Sequence, residues 1–333
     1  FISIFIVLGS LFAGNALSDN RYSPLIENKL ESPNVSWIAA FPVANLKSPR
    51  SIAIDPFNRK MYWIDDDGKL VQRANLDGTG TETLVMSGLD NPMDIALDLR
   101  RGKIYWTDKG QNKIQRASLL DGSRLEIILS GDTEDFGNPE GITVDHVGGK
   151  LYWVNSGPPR ILRAELDGTR VEFLTTTNVK KPRDVALDLR RGKMYWIDGD
   201  AKTIQRANLD GTDTEILLTG LKNPAELALD LTSNKIYWTD EDAGTIQRSS
   251  LNGTPVEILV SQGNGLRKPH GIALDIARGK MYWTDRDTRK IQSANLDGSN
   301  VRDLIIGVSD GEVKIFRRSL LTIDASTING NCG

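Results

Sequence analysis

Carboxylates and arginines recur along this chain at a spacing that could support charged chemistry. The first example is Asp65, which Arg73 follows eight residues later. The remaining members are Asp108 and Arg116, Asn155 and Arg163, Asp198 and Arg206, Asp240 and Arg248, and Asp285, which Ser293 follows instead of an arginine. A charged ligand site in every copy is one interpretation, but a recurring residue more often holds each copy together. We predict that each carboxylate accepts hydrogen bonds from strand ends and pairs with the arginine in a partly buried bridge.

A second set of polar residues differs from copy to copy and is therefore the better candidate for binding. These residues follow a loop proline and are Arg50, Asp94, Glu140, Arg183, Asp184, Glu226 and His270. They could line a water-filled channel, hold calcium through carboxylate oxygens, or engage a polar loop of a partner protein. Phe136 lies in a longer loop, residues 131–139, and is a candidate aromatic contact for the same partner.

Residues of the common catalytic signatures are scarce. The chain has two histidines, His146 and His270, and one cysteine, Cys332. This composition leaves no histidine cluster for zinc and no Ser-His-Asp or Cys-His arrangement. We therefore predict no enzymatic activity and no cofactor. A metal-dependent, lactonase-like hydrolase that uses the channel carboxylates is the alternative.

The elements that position these residues are repeats built around a Tyr-Trp pair. The pairs begin at Tyr62, Tyr105, Tyr152, Tyr195, Tyr237 and Tyr282, 42 to 47 residues apart. This period is the length of a small four-stranded sheet. Each repeat holds four short runs rich in Ile, Leu, Val, Thr, Tyr and Trp. An Asp-Gly or Asn-Gly pair, such as residues 77–78, predicts a type I′ hairpin between the third and fourth strands.

The Tyr-Trp pair also indicates how the sheets are arranged. Adjacent strand residues point to opposite faces, so each sheet must bury one large ring on each face. A stack of sheets buries both faces of every member only when it closes on itself. The sequence therefore predicts an all-β fold, a six-bladed β-propeller of four-stranded antiparallel blades. Either residues 35–41 or residues 301–306 could supply the outer strand that closes the ring.

Composition and the ends of the chain bear on location and partners. Hydrophobic residues make up 39% of the chain and the net charge is −3, without the positive field of nucleic-acid binders. An apolar run followed by small residues predicts an N-terminally truncated signal peptide at 1–16, and a membrane anchor is the alternative. A linker at 17–34, the propeller at 35–308 and a tail at 309–333 follow. The single Cys332 cannot form an internal disulfide.

The repeated motif resembles a known family. Its copies read MYWIDD at Met61, IYWTDK at Ile104, LYWVNS at Leu151, MYWIDG at Met194, IYWTDE at Ile236 and MYWTDR at Met281. They are similar to the YWTD repeats, class B, of the low-density lipoprotein receptor family, over about residues 35–307. The resemblance implies an extracellular binding module without chemistry of its own.

Together these observations predict a secreted, monomeric and non-catalytic module. It would bind a protein ligand or receptor through the loops around the channel mouth, without nucleic acid and without a small-molecule cofactor. Besides the hydrolase, an architectural element of the cell surface or matrix remains an alternative.

Overall fold

The computed structural model describes residues 43–44, 46–131, 137–175 and 179–307. Phe136, Cys332, residues 35–41 and the predicted signal peptide, linker and tail lie outside this part of the chain. Within it, no helix has the length and apolar character that crossing a bilayer requires.

Six four-stranded antiparallel sheets follow one another along the chain as the blades of a propeller. A short strand, β1 (Val43–Ala44), precedes them. Blades 1 and 2 are β2 (Pro49–Asp55), β3 (Lys60–Asp65), β4 (Leu70–Asn75), β5 (Glu82–Val85) and β6 (Pro92–Asp98), β7 (Lys103–Asp108), β8 (Lys113–Ser118), β9 (Glu126–Ser130). Blades 3 and 4 are β10 (Pro139–Asp145), β11 (Lys150–Ser156), β12 (Pro159–Glu165), β13 (Glu172–Thr175) and β14 (Pro182–Asp188), β15 (Lys193–Asp198), β16 (Thr203–Asn208), β17 (Glu215–Leu218). Blades 5 and 6 are β18 (Pro224–Asp230), β19 (Lys235–Asp240), β20 (Thr245–Ser250), β21 (Glu257–Val260) and β22 (Pro269–Asp275), β23 (Lys280–Asp285), β24 (Lys290–Asn295), β25 (Arg302–Gly307).

The described residues also include two short 3₁₀ turns, Gln262–Asn264 before blade 6 and Ile276–Arg278 between its first and second strands. The predicted fold class, six antiparallel four-stranded blades, is confirmed.

The apolar cores lie between neighbouring blades, as the Tyr-Trp pattern predicts. Tyr62 of blade 1 packs in one cluster with Trp106 of blade 2, and Tyr105 of blade 2 packs with Trp153 of blade 3. All six motif tryptophans are fully buried. Burial of both rings contributes roughly 2–3 kcal/mol for each side chain, so the motif is mainly a packing device.

The ring closes between blade 6 and blade 1. Tyr282 of blade 6 shares a core cluster with Trp63 of blade 1, and the Arg278 guanidinium donates to the Pro56 carbonyl at 2.9 Å. Residues 302–307 form the fourth strand of blade 6, and β1 adds to its outer edge in parallel, with Val43 opposite Ile306. Of the two closing candidates, the C-terminal one therefore forms the outer strand of the blade.

The turns between third and fourth strands differ from the prediction. A type I′ turn needs positive φ at both central residues, but of residues 77–78 only Gly78 has one, at 88°. The Asn75 N–H donates to the Thr79 carbonyl at 2.8 Å, so the loop is longer than two residues. The Asp77 carboxylate accepts the Thr79 N–H at 2.9 Å, which stabilises an Asx turn instead. The predicted type I′ geometry is wrong.

Glycine in these turns is required by the neighbouring blade. A Cβ on Gly78 would collide with the Leu304 carbonyl oxygen of blade 6. The five equivalent glycines, each with positive φ and each facing a carbonyl of the preceding blade, are Gly122, Gly168, Gly211, Gly253 and Gly298. Every blade therefore touches the previous one backbone to backbone at this point.

The predicted pairing of the motif carboxylate with the arginine is also wrong. Asp108 accepts backbone N–H groups from Asp90 and Asn91 at 2.8 and 3.0 Å. Arg116 instead pairs with Glu126, at 2.6 Å between Nη2 and Oε2. The antiparallel register explains the difference, because it places Arg116 opposite Tyr105 and Lys113 opposite Asp108.

Asn155 is the variant member of the carboxylate set. Its two polar side-chain atoms are buried without a hydrogen-bond partner among the described residues. The amide therefore does not reproduce the loop-capping hydrogen bonds that the carboxylates make in the other blades.

Candidate functional site: the channel mouth

The first strands of the blades converge on a cavity of about 250 Å³ at the mouth of the channel. Six of the predicted binding residues line it, namely Arg50, Asp94, Glu140, Arg183, Glu226 and His270. Asp184 is buried in the wall, and Phe136 lies outside the described residues. The structure thus brings most of the predicted set together.

The motif threonine positions part of this lining. The Thr107 hydroxyl donates to the Glu140 carbonyl of the next blade. The equivalent hydroxyls, Thr239 and Thr284, donate to the carbonyls of His270 and Arg50. Three of the lining residues are therefore held by the YWTD motif of the preceding blade.

Two of the wall carboxylates connect neighbouring blades. Asp94 of blade 2 accepts the N–H of Ile142 in blade 3 at 2.6 Å, and Asp184 of blade 4 accepts the N–H of Leu227 in blade 5 at 2.8 Å. The Ser51 hydroxyl of blade 1 donates to Asp94. These oxygens already serve the scaffold, which limits what they can offer a ligand.

Glu226 makes the corresponding link from blade 5 to blade 6. Its Oε2 accepts the Ile272 N–H at 3.1 Å. Its Oε1 lies 3.6 Å from His270 Nδ1 and has no hydrogen bond among the described residues. Glu226 is therefore half committed to the scaffold, with one oxygen near the cavity.

Burial governs the protonation of these wall carboxylates. It raises the pKa of Asp94 to about 6, against the lowering effect of the Ser51 hydroxyl. Burial, and then the charge of Asp94, raises the pKa of Asp184 well above its ordinary value. Burial and the other two carboxylates do the same to the pKa of Glu226. The three groups resist being charged at the same time.

His270 does not supply a positive charge at neutral pH. Burial, and then the charges of Arg50, Arg286 and Arg183, lower the pKa of His270 well below its ordinary value. The surrounding arginines therefore favour the neutral imidazole.

Four further cations of the mouth form ion pairs within one blade or between neighbouring blades. The ion pairs are Lys109 Nζ to Glu140 Oε1 at 2.7 Å, Arg50 Nη1 to Asp66 Oδ2 at 3.6 Å, Arg286 Nη1 to Glu241 Oε1 at 3.8 Å, and Arg183 Nη1 to Glu241 Oε2 at 4.0 Å. A guanidinium carries five N–H donors, so each arginine keeps donors for a carbonyl or carboxylate of a ligand. Within the described residues, no group of three or more His, Cys, Asp or Glu side chains is placed to hold a metal ion.

Lys109 and Arg286 are lining residues that the prediction missed. Both stand directly after the motif carboxylate, at the position that Glu241 occupies in blade 5. This position varies between copies, so the same test of variation would have found them.

Comparison with family models identifies one match, the low-density lipoprotein receptor repeat class B. The matched segments are 102–146, 149–189, 192–231, 234–276 and 279–308. Together they cover more than half of the chain, and blade 1 lies before the first of them. A comparison with curated protein sequences finds no match.

Solved structures include several propellers of similar shape. A chain from the crystal structure of a nidogen/laminin complex is 27% identical, with a TM-score of 0.64, and covers 71% of this chain and 89% of its own. An auxiliary nutrient binding protein from Bacteroides thetaiotaomicron is 14% identical, with a TM-score of 0.64, and covers 78% of this chain and 70% of its own.

An enzyme is among the similar structures. A catalytically inactive virginiamycin B lyase from Staphylococcus aureus, solved with quinupristin, is 16% identical, with a TM-score of 0.60, and covers 80% of this chain and 87% of its own. At that identity the likeness concerns the fold alone. The family model matches over most of the ring, and the chain belongs to the low-density lipoprotein receptor class B repeat family.

Proposed function

We propose that this chain is an extracellular, non-catalytic module that binds a protein ligand through the channel mouth. The observation that carries the proposal is the contrast between repeated and variable residues. The repeated side chains close cores and loops, whereas the variable ones from all six blades converge on one polar cavity. Variable residues on a rigid scaffold are the usual basis of recognition.

The arginines of the mouth indicate what such a ligand presents. Arg50, Arg183 and Arg286 lie around one cavity and have only long ion pairs, at 3.6 to 4.0 Å. A polar loop carrying a carboxylate or exposed carbonyls could replace those contacts with shorter ones. The nidogen/laminin complex supports a protein as the ligand, since its similar chain is part of a protein–protein assembly.

The experiment is a capture of extracellular proteins by the full chain, with purified laminin as the first defined candidate. The test variant reverses two mouth charges, Lys109→Glu with Arg183→Glu. Its matched control reverses two charges from turns between first and second strands, Arg100→Glu with Arg190→Glu, away from the lining residues.

We expect the control to bind a specific partner with unchanged affinity. The mouth variant should bind it about tenfold or more weakly, and its affinity should depend less on salt concentration. A partner held equally by both variants would show that the mouth is not the binding surface. Size-exclusion chromatography with light scattering on the same samples tests the expected monomeric state.

A further inference from the structure

Five of the six seams between blades are filled by the recurring arginine. Its Nη1 atom reaches the carbonyl of the leucine that directly follows the third strand of the next blade. The five contacts are Arg73 to Leu119 at 3.1 Å, Arg116 to Leu166 at 3.0 Å, Arg163 to Leu209 at 3.0 Å, Arg206 to Leu251 at 3.1 Å and Arg248 to Leu296 at 2.9 Å. Each arginine also pairs with a glutamate on its own outer strand.

The sixth seam, between blades 6 and 1, lacks this arrangement. Ser293 occupies the arginine position, and Arg302 stands opposite it, where the other blades have glutamate. The space that the arginine would fill is a groove of about 560 Å³. This volume lies within the range of about 300–1,000 Å³ that ligand pockets span.

The groove has an apolar floor. Leu76 and Leu304 line it together with Tyr282, and all three side chains are buried. In four other blades the equivalent tyrosine hydroxyl lies 3.4 Å from the arginine, as Tyr105 does from Arg116. At Tyr282 no side chain in the described part of the chain takes that place, so its hydroxyl faces the groove.

The rim of the groove carries an excess of positive charge. Arg59 and Arg302 both line it, are exposed, and form no ion pair with a described residue. The two carboxylates nearby are already engaged, because Asp77 accepts hydrogen bonds from Thr79. The other carboxylate, Asp303, pairs with Lys290 at 2.8 Å and accepts from Gln292 at 2.7 Å.

We propose that this groove is a second binding site, for an acidic peptide segment of a partner protein. A glutamate or aspartate of that segment pairs with Arg302 and Arg59, and an adjacent apolar side chain packs on Leu76, Leu304 and Tyr282. In the other five seams an arginine pairs with a glutamate on the fourth strand of its blade. In the sixth seam the fourth strand carries Arg302, and the guest carboxylate supplies its anionic partner. The site is separate from the channel mouth and does not rest on the function proposed there.

Charge and lining together favour this occupant. A guest arginine, copying the five internal ones, would meet the unpaired Arg302 instead of a glutamate, which costs binding energy. A sulfated glycan would satisfy the arginines but would leave the apolar floor of Leu76 and Leu304 unused. An acidic segment with an apolar neighbour satisfies both parts.

The experiment uses the full chain and a variant in which the sixth seam matches the other five. Ser293→Arg combined with Arg302→Glu fills the groove with an internal pair. A random peptide library displayed on phage is selected on the original chain, and each selected peptide is then measured on this variant. Peptides that bind both proteins equally occupy other surfaces and serve as an internal control.

We expect peptides with Asp or Glu beside Leu, Ile or Phe, whose affinity falls by about tenfold or more when the groove is filled. Arg302→Ser, which leaves the groove open, should weaken the same peptides by about tenfold. The thermal melting of both variants checks that they are folded.

Three results would overturn the proposal. The first is that no selected peptide depends on the groove, and the second is that the groove-dependent peptides are basic. The third is that a heparin-derived oligosaccharide binds in a groove-dependent way while acidic peptides do not.

Discussion

Asp94, Asp184 and Glu226 each accept a backbone N–H from the first strand of the following blade. After burial, the charge of Asp94 raises the pKa of Asp184, and the charges of both raise the pKa of Glu226. Each therefore joins two blades, while their charges, once ionised, disfavour ionisation of a neighbouring wall carboxylate. The same three side chains thus determine both the contacts between blades and the charge of the channel wall.

This coupling gives a pH dependence of stability with a definite sign. A carboxyl group whose pKa is raised in the folded state stabilises the fold fully below its unfolded pKa of about 4, and this contribution is lost as the pH rises through the folded pKa. The unfolding free energy of the original chain should therefore fall between about pH 5 and about pH 8. In Asp184→Asn we expect this fall to be smaller by about 1 kcal/mol or more.

Denaturant unfolding of the original chain and the variant at several pH values measures this effect. Asp287→Asn is the control, because Asp287 is an exposed carboxylate in blade 6. An unchanged pH slope in Asp184→Asn would contradict the coupling, whatever the absolute stability of the variant.

Variation between repeats correctly indicates which residues gather at the mouth, but not which of them point into the wall. Arg183 and Asp184 are sequence neighbours, yet only Arg183 lines the cavity. The difference depends on the reach of each side chain toward the N–H groups of the next blade. That reach follows from the packing of two blades and cannot be predicted from one repeat.

At the scale of strands and turns, the glycine contacts between blades are the most demanding. Gly211 has φ at 86°, and a Cβ there would collide with the Leu174 carbonyl. Gly192 has φ at 65°, with no atom within 4 Å of its Cβ position. Comparing substitutions at Gly192 and Gly211 therefore separates the cost of backbone strain from the cost of the contact between blades.

We expect Gly192→Ala to cost about 1 kcal/mol of unfolding free energy, the ordinary penalty of a left-handed residue. Gly211→Ala should cost at least about 3 kcal/mol, because blade 4 must also move away from blade 3. Chemical unfolding of both variants gives the comparison. Equal losses would mean that the carbonyl contact has no energetic weight.

The strand order and the hairpin pairing could be predicted from the sequence because each repeat is short and its strands pair with their neighbours in the chain. The role of the arginine could not be predicted, because a spacing of eight residues does not by itself place two side chains in contact. In the antiparallel register, Arg116 instead lies beside Tyr105 and the next blade. A pairing argument along this hairpin needs the length of the turn at residues 109–112, which places Lys113 opposite Asp108.

At the scale of the whole molecule, the ring has six seams and no free end among its described blades. Trp63 belongs to the cluster that joins blade 6 to blade 1, together with Tyr282 and Ile305. Loss of packing at this seam should therefore weaken every blade, in contrast to an open array whose repeats can melt separately.

We expect Trp63→Ala to lower the unfolding free energy by about 3–5 kcal/mol. Unfolding should remain a single transition by circular dichroism and by amide exchange in β11 of blade 3. Phe57→Ala is the control, since Phe57 is 85% exposed. Separate melting of blades 6 and 1, with blade 3 still protected, would contradict a cooperative ring.

The parallel pairing of Val43 with Ile306 and of Ala44 with Gly307 brings the first and last described strands side by side on one blade. A short linker from Gly307 back to Val43 would make the backbone of the ring continuous. New termini could then be opened in any of the five loops that join consecutive blades, giving five circular permutants with the same seams in the same order. The order of the blades in space is therefore independent of which blade comes first in the chain.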